Sequence, residues 1–143
     1  MFGLKKKSRK VELVSPVNGK MIRLRDVPDQ VFASEMMGPG VAFISNDGNI
    51  CSPCDGELMT VFPTKHAIGI KAENGAEILI HFGIDTVQLE GSCFHQKIDA
   101  GKKVKKGDYG YIRYEKKKRL LTTVVLFLIP LAAFLAEFGE PLR

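Results

Sequence analysis

The sequence is poor in several residue types, and each shortage closes off a class of function. It has no Trp, 8% aromatic residues and three Cys in 143 residues. Hydrophobic residues still make up 45%, enough for a core, so global disorder is excluded. Basic residues are scarce where a nucleic-acid reader would need them: residues 11–101 carry six basic and twelve acidic side chains. Positive charge gathers at Lys5, Lys6, Lys7, Arg9 and Lys10, and again over residues 102–119. A basic end suits an anionic surface, but an acidic body argues against nucleic acid as a partner. An odd number of cysteines argues against a disulfide framework, and Met-Phe-Gly-Leu is too short for a signal-peptide core. Both point to a reducing cytoplasm.

What the chain does have is turns. Asn18-Gly19, Asp47-Gly48, Asp55-Gly56, Asn74-Gly75 and Gly107-Asp108 separate short runs such as Glu77-Ile-Leu-Ile-His-Phe82. That pattern predicts an all-β fold, an antiparallel sandwich or barrel with little helix. The only helical stretch expected is Gln30 to Met37, after Pro28 and before Gly38-Pro39-Gly40. Ser15-Pro-Val-Asn-Gly-Lys-Met-Ile22 recurs as Ser52-Pro-Cys-Asp-Gly-Glu-Leu-Met59, at an offset of 37. The recurrence predicts a duplicated hairpin-like unit.

The most informative segment runs from Phe62 to Thr86. Asn74-Gly75 is the preferred pair for a two-residue hairpin turn. With that turn Ile68 faces His81, and His66 pairs with Gly83. His66 and His81 then become diagonal neighbours, with backbones roughly 7–8 Å apart. A neutral imidazole is a good nucleophile near neutral pH and can carry a covalent group. A second imidazole can hydrogen-bond the oxygens of a bound phosphoryl group. Thr64 lies where its hydroxyl would orient His66. Gly83 leaves room beside the rings, and Asp85 lies two residues beyond His81, where it would tune that ring or meet a partner's arginine.

Metal is the competing chemistry, but the segment lacks H-x-H and H-E-x-x-H spacing, so no metal is expected. His95 reads as a surface loop residue. Cys51-Ser-Pro-Cys54 has redox spacing, but a turn follows it where a thiol-activating helix would be needed. Both thiols are expected to be structural.

At these residues the sequence resembles the glucose-type enzyme IIA family of the phosphoenolpyruvate-dependent sugar phosphotransferase system. The resemblance rests on Lys65-His-Ala-Ile-Gly69 with Ile80-His-Phe-Gly-Ile-Asp-Thr86, and covers about Glu12 to Asp108. It includes Ser15-Pro-Val-Asn-Gly, Asp26-Val-Pro-Asp-Gln-Val-Phe-Ala33, Met37-Gly-Pro-Gly-Val-Ala42, Ser52-Pro-Cys-Asp-Gly, Glu90-Gly-Ser-Cys-Phe94 and Gly101-Lys-Lys-Val-Lys-Lys-Gly-Asp108. It implies an antiparallel β-sandwich and a phosphotransferase without cofactor. His81 would be phosphorylated, His66 would stabilise the phosphoryl group, and Thr64 would bond His66. The carrier HPr would donate, and a cysteine of a sugar-specific IIB domain would accept. Both would dock on an apolar surface around a shallow, surface-facing site, matched here by Val31, Phe32, Met36, Met37 and Phe62. Regulatory protein targets are a further expectation, as is transient membrane contact beside a permease. The short basic start suggests a free-standing unit.

Three segments are therefore expected: a basic tail (1–10), an enzyme IIA domain (11–114) and a divergent apolar tail (115–143). The last begins where Tyr109-Gly-Tyr-Ile-Arg-Tyr-Glu115 departs from the family pattern. A frameshifted reading, soluble divergence and a membrane anchor are its candidate explanations, in that order. The tail is expected to contribute nothing to phosphoryl chemistry, to leave an apolar sheet edge unpaired and to lower stability or solubility. The alternatives to a phosphocarrier are a biotinyl- or lipoyl-type carrier, which lacks its modifiable-lysine tripeptide here, and a zinc peptidase, which lacks its H-x-H.

Overall fold

The computed structural model describes residues 12–84, Glu90, 94–114 (109–114 as backbone only) and 123–128. Each copy of the repeated motif starts a strand: β1 (Gly19–Arg23) and β4 (Gly56–Val61). In both, the serine hydroxyl donates to the carbonyl two residues on, Ser15 to Val17 and Ser52 to Cys54, each at 2.6 Å. Two backbone bonds tie the copies together reciprocally: Val14 N–H to the Pro53 carbonyl (2.9 Å) and Cys51 N–H to the Pro16 carbonyl (2.8 Å). The glycines are required by crowding. A Cβ on Gly19 would stand 1.9 Å from the Ile44 carbonyl oxygen, and one on Gly56 2.2 Å from that of Lys71. The duplicated unit read from sequence is thus a structural repeat.

The remaining strands are β2 (Gly40–Ser45), β3 (Asn49–Cys51), β5 (Ala67–Ala72), β6 (Glu77–Phe82), β7 (Phe94–Gln96), β8 (Lys103–Val104), β9 (Tyr109–Tyr114) and β10 (Thr123–Leu128). They form two antiparallel sheets, ordered β1-β2-β10-β6-β5-β4-β8 and β3-β9-β7. The all-β sandwich is as expected. Because strand side chains alternate, the large sheet has two apolar faces. One, with Ile68, Ile70, Ile78, Ile80, Phe82, Val124 and Leu126, packs with Ile50 and Phe94 of the small sheet in one core. The other, with Ala42, Ala67, Leu79, Val125 and Phe127, is covered by Leu24, Val27, Phe32 and Met37.

That cover comes from a 3-10 turn (Leu24–Asp26) and a single helical turn, α1 (Gln30–Ala33). Asp29 caps α1, its carboxylate accepting from Val31 N–H at 2.9 Å and Phe32 N–H at 3.2 Å. The helix expected to reach Met37 stops early: Glu35 takes φ 59°, which breaks the helical path.

Two expectations are corrected here. The turn after β5 has three residues, Glu73-Asn74-Gly75, with Gly75 at φ 93° and Ala72 N–H bonded to the Ala76 carbonyl at 2.7 Å. It is the three-residue hairpin loop with a left-handed third position, and not the two-residue turn. The register therefore slips by one: Ala67 faces His81 and Ile68 faces Ile80. The second correction concerns the boundary after residue 114. β10 lies inside the large sheet, paired with β2 on one side and β6 on the other. Thr123 to Phe127 are buried, so this part of the apolar stretch belongs to the core and is not itself an unpaired edge. Residues 115–122 and 129–143 lie outside the described residues, and so does the rest of the expected tail. Among the described residues no helix is long and apolar enough to cross a membrane.

Candidate functional site

His81 occupies the penultimate position of β6, flanked by Ala67 on β5 and Val125 on β10. Its ring lies on the face covered by α1. His66 precedes β5, in a tight turn where Lys65 has φ 59° and Lys65 N–H bonds to the Phe62 carbonyl at 2.7 Å. Leaving the strand there frees His66 from the alternation that would have sent it to the opposite face. The two rings meet with centroids 5.0 Å apart and planes at 75°. Their convergence, expected from a diagonal register, arises instead from the slipped register and this turn acting together.

Each ring is held at Nδ1, by chemically different partners. Nδ1 of His81 lies 3.0 Å from the Gly83 carbonyl oxygen. A carbonyl only accepts, so the proton sits on Nδ1 and Nε2 carries a lone pair. Gly83 takes φ 79°, a left-handed conformation that suits glycine, and its N–H donates to the Thr123 carbonyl at 2.6 Å. The orientation of His81 is thereby tied to β10, within the segment expected to play no part. Nδ1 of His66 is bonded by the Thr64 hydroxyl. A hydroxyl both donates and accepts; when it donates to Nδ1, the His66 proton sits on Nε2. In that arrangement the pair offers one lone-pair nitrogen and one N–H donor.

Burial corrects the expectation of a shallow, surface-facing site. His66 is 0% exposed and His81 1%. Phe32 meets His81 edge-on at 5.0 Å, and Phe62 meets His66 at 5.9 Å. The expected docking residues divide: Val31 and Met36 are exposed at 44% and 70%, whereas Phe32, Met37 and Phe62 are buried. The buried three cover the outer face of the large sheet, because α1 brings Phe32 down onto Phe127 and His81. Asp85 lies outside the described residues. Sequence reasoning missed Phe32 as a cover and Thr123 as a support; the Phe-Gly after His81 was the available hint of a backbone partner.

Among the described residues no group of three or more His, Cys, Asp or Glu could hold a metal. His95 is exposed, on β7 and not in a loop. Cys51 and Cys54 are buried free thiols. The Cys51 thiol lies 3.3 Å from the Ser15 carbonyl oxygen. Burial raises the pKa of Cys54 to about 11, helped by the negative charges of Asp55 and Glu73; burial raises that of Cys51 too. Neither suits nucleophilic chemistry near neutral pH.

A buried imidazole pair at one end of a β-sandwich sheet has the chemistry that a phosphohistidine-forming phosphotransferase uses. The comparisons place it more narrowly. Residues 11–125 match the family model of the phosphoenolpyruvate-dependent sugar phosphotransferase system, EIIA 1, and the chain belongs to that family. The glucose-specific EIIA component of Bacillus cereus is 46% identical over 132 residues, covering 88% of this chain and 79% of that protein. The glucose-specific EIICBA component of Staphylococcus saprophyticus is 50% identical over 101 residues, 71% of this chain and 15% of that larger protein. Among solved structures, glucose permease IIA from Mycoplasma capricolum superposes with a TM-score of 0.74 at 34% identity, covering 82% of this chain and 79% of that one. The family match extends past residue 114 into β10.

Proposed function

We propose that His81 is the residue phosphorylated, accepting the phosphoryl group on Nε2 from phospho-HPr and passing it to a cysteine of a sugar-permease IIB domain. The carrying observation is the 3.0 Å bond from His81 Nδ1 to the Gly83 carbonyl, with the His66 ring alongside. The lone pair of Nε2 attacks phosphorus as the donor's N–P bond breaks, and the donor's electron pair returns to its own ring. His81 keeps its Nδ1 proton, so its ring gains positive charge beside the phosphoryl dianion while Gly83 accepts that hydrogen bond. In the onward step a thiolate attacks phosphorus and the N–P electrons return to Nε2. His66 Nε2–H donates to the phosphoryl oxygens in both steps, held in that tautomer by Thr64. This division of labour suits transfer in either direction, because no proton has to leave the site.

Val31 and Met36 are the exposed apolar contacts for HPr and IIB, and for any regulatory protein that shares this face. Exposed Met repacks easily, which suits several partners. The setting is the cytoplasm, at the inner membrane face only while a permease is engaged. Incubation with phosphoenolpyruvate, enzyme I and HPr tests the reading. Acid-labile label on this chain, on one histidine, is expected; absence of label with an active HPr preparation would overturn it.

A further inference from the structure

We propose that the edge strand β1 is a docking site for an extended, acidic segment of a protein partner, which adds to the large sheet as a further antiparallel strand. The first observation is the backbone. Among the described residues β1 has a neighbour only on its β2 side. Asn46 N–H donates to the Asn18 carbonyl at 2.7 Å, and the register continues with Lys20 opposite Ile44 and Ile22 opposite Ala42. Antiparallel bonding alternates, so Lys20 and Ile22 direct their backbone groups to β2. The N–H and C=O groups of Gly19, Met21 and Arg23 point away from it. Met21 itself is 66% exposed. The other sheet ends are poorer templates: β8 has two residues, beside Lys102, Lys105 and Lys106, and β3 and β7 have three each, against five in β1.

The second observation is charge. Residues 11–101 hold six basic side chains, and three of them, Lys20, Arg23 and Arg25, lie on β1 and its immediate continuation. All three residues are exposed. Arg23 bonds Asp26 at 3.0 Å, an exposed pair of the kind that gives way to a partner's carboxylate at little cost. A second copy of this chain would bring two such basic clusters together, whereas an acidic strand complements them.

The third observation sets the order of side chains in the partner. Two grooves adjoin β1 and share Met21 and Val41. The one beside Gly19 holds about 250 Å³ and is walled by Leu13, Val14, Phe43 and Leu126. The one beside Arg23 holds about 410 Å³ and is walled by Leu24, Arg25 and one acid, Glu35. An antiparallel partner runs from Arg23 toward Gly19, so its acidic side chains come first and an apolar one follows about four residues later. Main-chain bonds then supply affinity and the grooves supply specificity. In the large sheet β1 lies three strands from β6, about 14 Å at the usual strand spacing, so this surface is separate from the histidine pair.

Amide hydrogen exchange of the full chain, followed by NMR, tests the proposal with a short synthetic peptide carrying glutamates at its start and valines after them. In the free protein the Lys20 and Ile22 amides should be protected, and those of Gly19, Met21 and Arg23 should exchange fast. The peptide should slow the latter three at least about tenfold and leave Lys20 and Ile22 as they were. A peptide with lysines in place of the glutamates should bind at least about tenfold more weakly. Lys20→Glu combined with Arg25→Glu should reverse that preference. Met21→Pro, which removes one outward N–H at an edge where proline is tolerated, should abolish binding. None of these readouts uses phosphate, so they stand apart from the phosphocarrier reading. Outward amides already protected in the dilute free protein would mean that the edge is covered, and would overturn the proposal. Protection that rises with protein concentration would also overturn it, assigning the edge to a second copy. Equal binding of both peptides, or of neither, would remove the acidic segment. If Met21→Pro fails to fold, the charge-reversed variant decides.

Discussion

Among the described residues two pairs of nucleophilic side chains are buried, His66 with His81 and Cys51 with Cys54, and the proposed chemistry falls to the first. The histidines each have a partner at Nδ1, so on that reading Nε2 of each is the nitrogen that meets the phosphoryl group. The cysteines are surrounded by what suppresses a thiolate, namely burial and, for Cys54, the charges of Asp55 and Glu73. Burial is common to both pairs. What separates them is whether a neighbouring group selects the reactive protonation state or opposes it.

His81→Ala breaks the comparison most completely. Labelling should fall to background, and the loss of a 1%-exposed ring should also lower stability by about 2 kcal/mol. Isotope incorporation together with a denaturant melt checks both parts. Retained labelling would remove His81 from its role. Val125→Asp attacks the support behind it, placing an unpaired carboxylate at a 0%-exposed position in the middle of the large sheet. At least about 3 kcal/mol should be lost, seen as a lower thermal midpoint. An unchanged midpoint would mean that β10 is not built into the sheet in solution.

These two substitutions also mark what the sequence made legible and what it did not. The sandwich, the duplicated Ser-Pro-x-Asn/Asp-Gly unit and the meeting of two histidines were readable, because turn chemistry and motif spacing are local. The hairpin register was not, since Asn74-Gly75 serves a three-residue loop as readily as a two-residue one. The place of β10 was hidden because an uncharged run after a basic stretch looks like an appendage. A strand buried on both faces has that same composition. The cover by Phe32 depends on a one-turn helix folding back over the sheet, and periodicity carries no sign of that.

His66→Gln sharpens the comparison by keeping a donor while removing the ring. Acceptance from HPr should stay within about threefold of wild type, while transfer to IIB slows at least about tenfold, equivalent to roughly 1.4 kcal/mol. Single-turnover kinetics with each partner separate the two steps. Wild-type transfer to IIB would mean that His66 does not act on the phosphoryl group.

The smallest effects belong to the cysteines. Cys51→Ala with Cys54→Ala should leave labelling unchanged. In the wild-type protein the unfolded Cys54 thiol ionises near its ordinary 9.0, and the folded one near 11. The unfolded state loses its proton first, so stability from this group is fully present below about pH 9 and declines as pH rises toward 11. Denaturant midpoints across that window should fall more steeply in the wild type than in Cys54→Ala, which retains the raised Cys51 thiol. A decline of equal size in both would assign it to other groups.

The central claim is that the Gly83 carbonyl holds the proton on His81 Nδ1 and leaves Nε2 to carry phosphorus. Nitrogen-15 and phosphorus-31 NMR of the phosphorylated, histidine-labelled protein tests it directly. The account predicts one phosphohistidine, with phosphorus coupled to Nε2 of His81 and the Nδ1 proton still present. Phosphorus on Nδ1 of His81, or on His66, would contradict it.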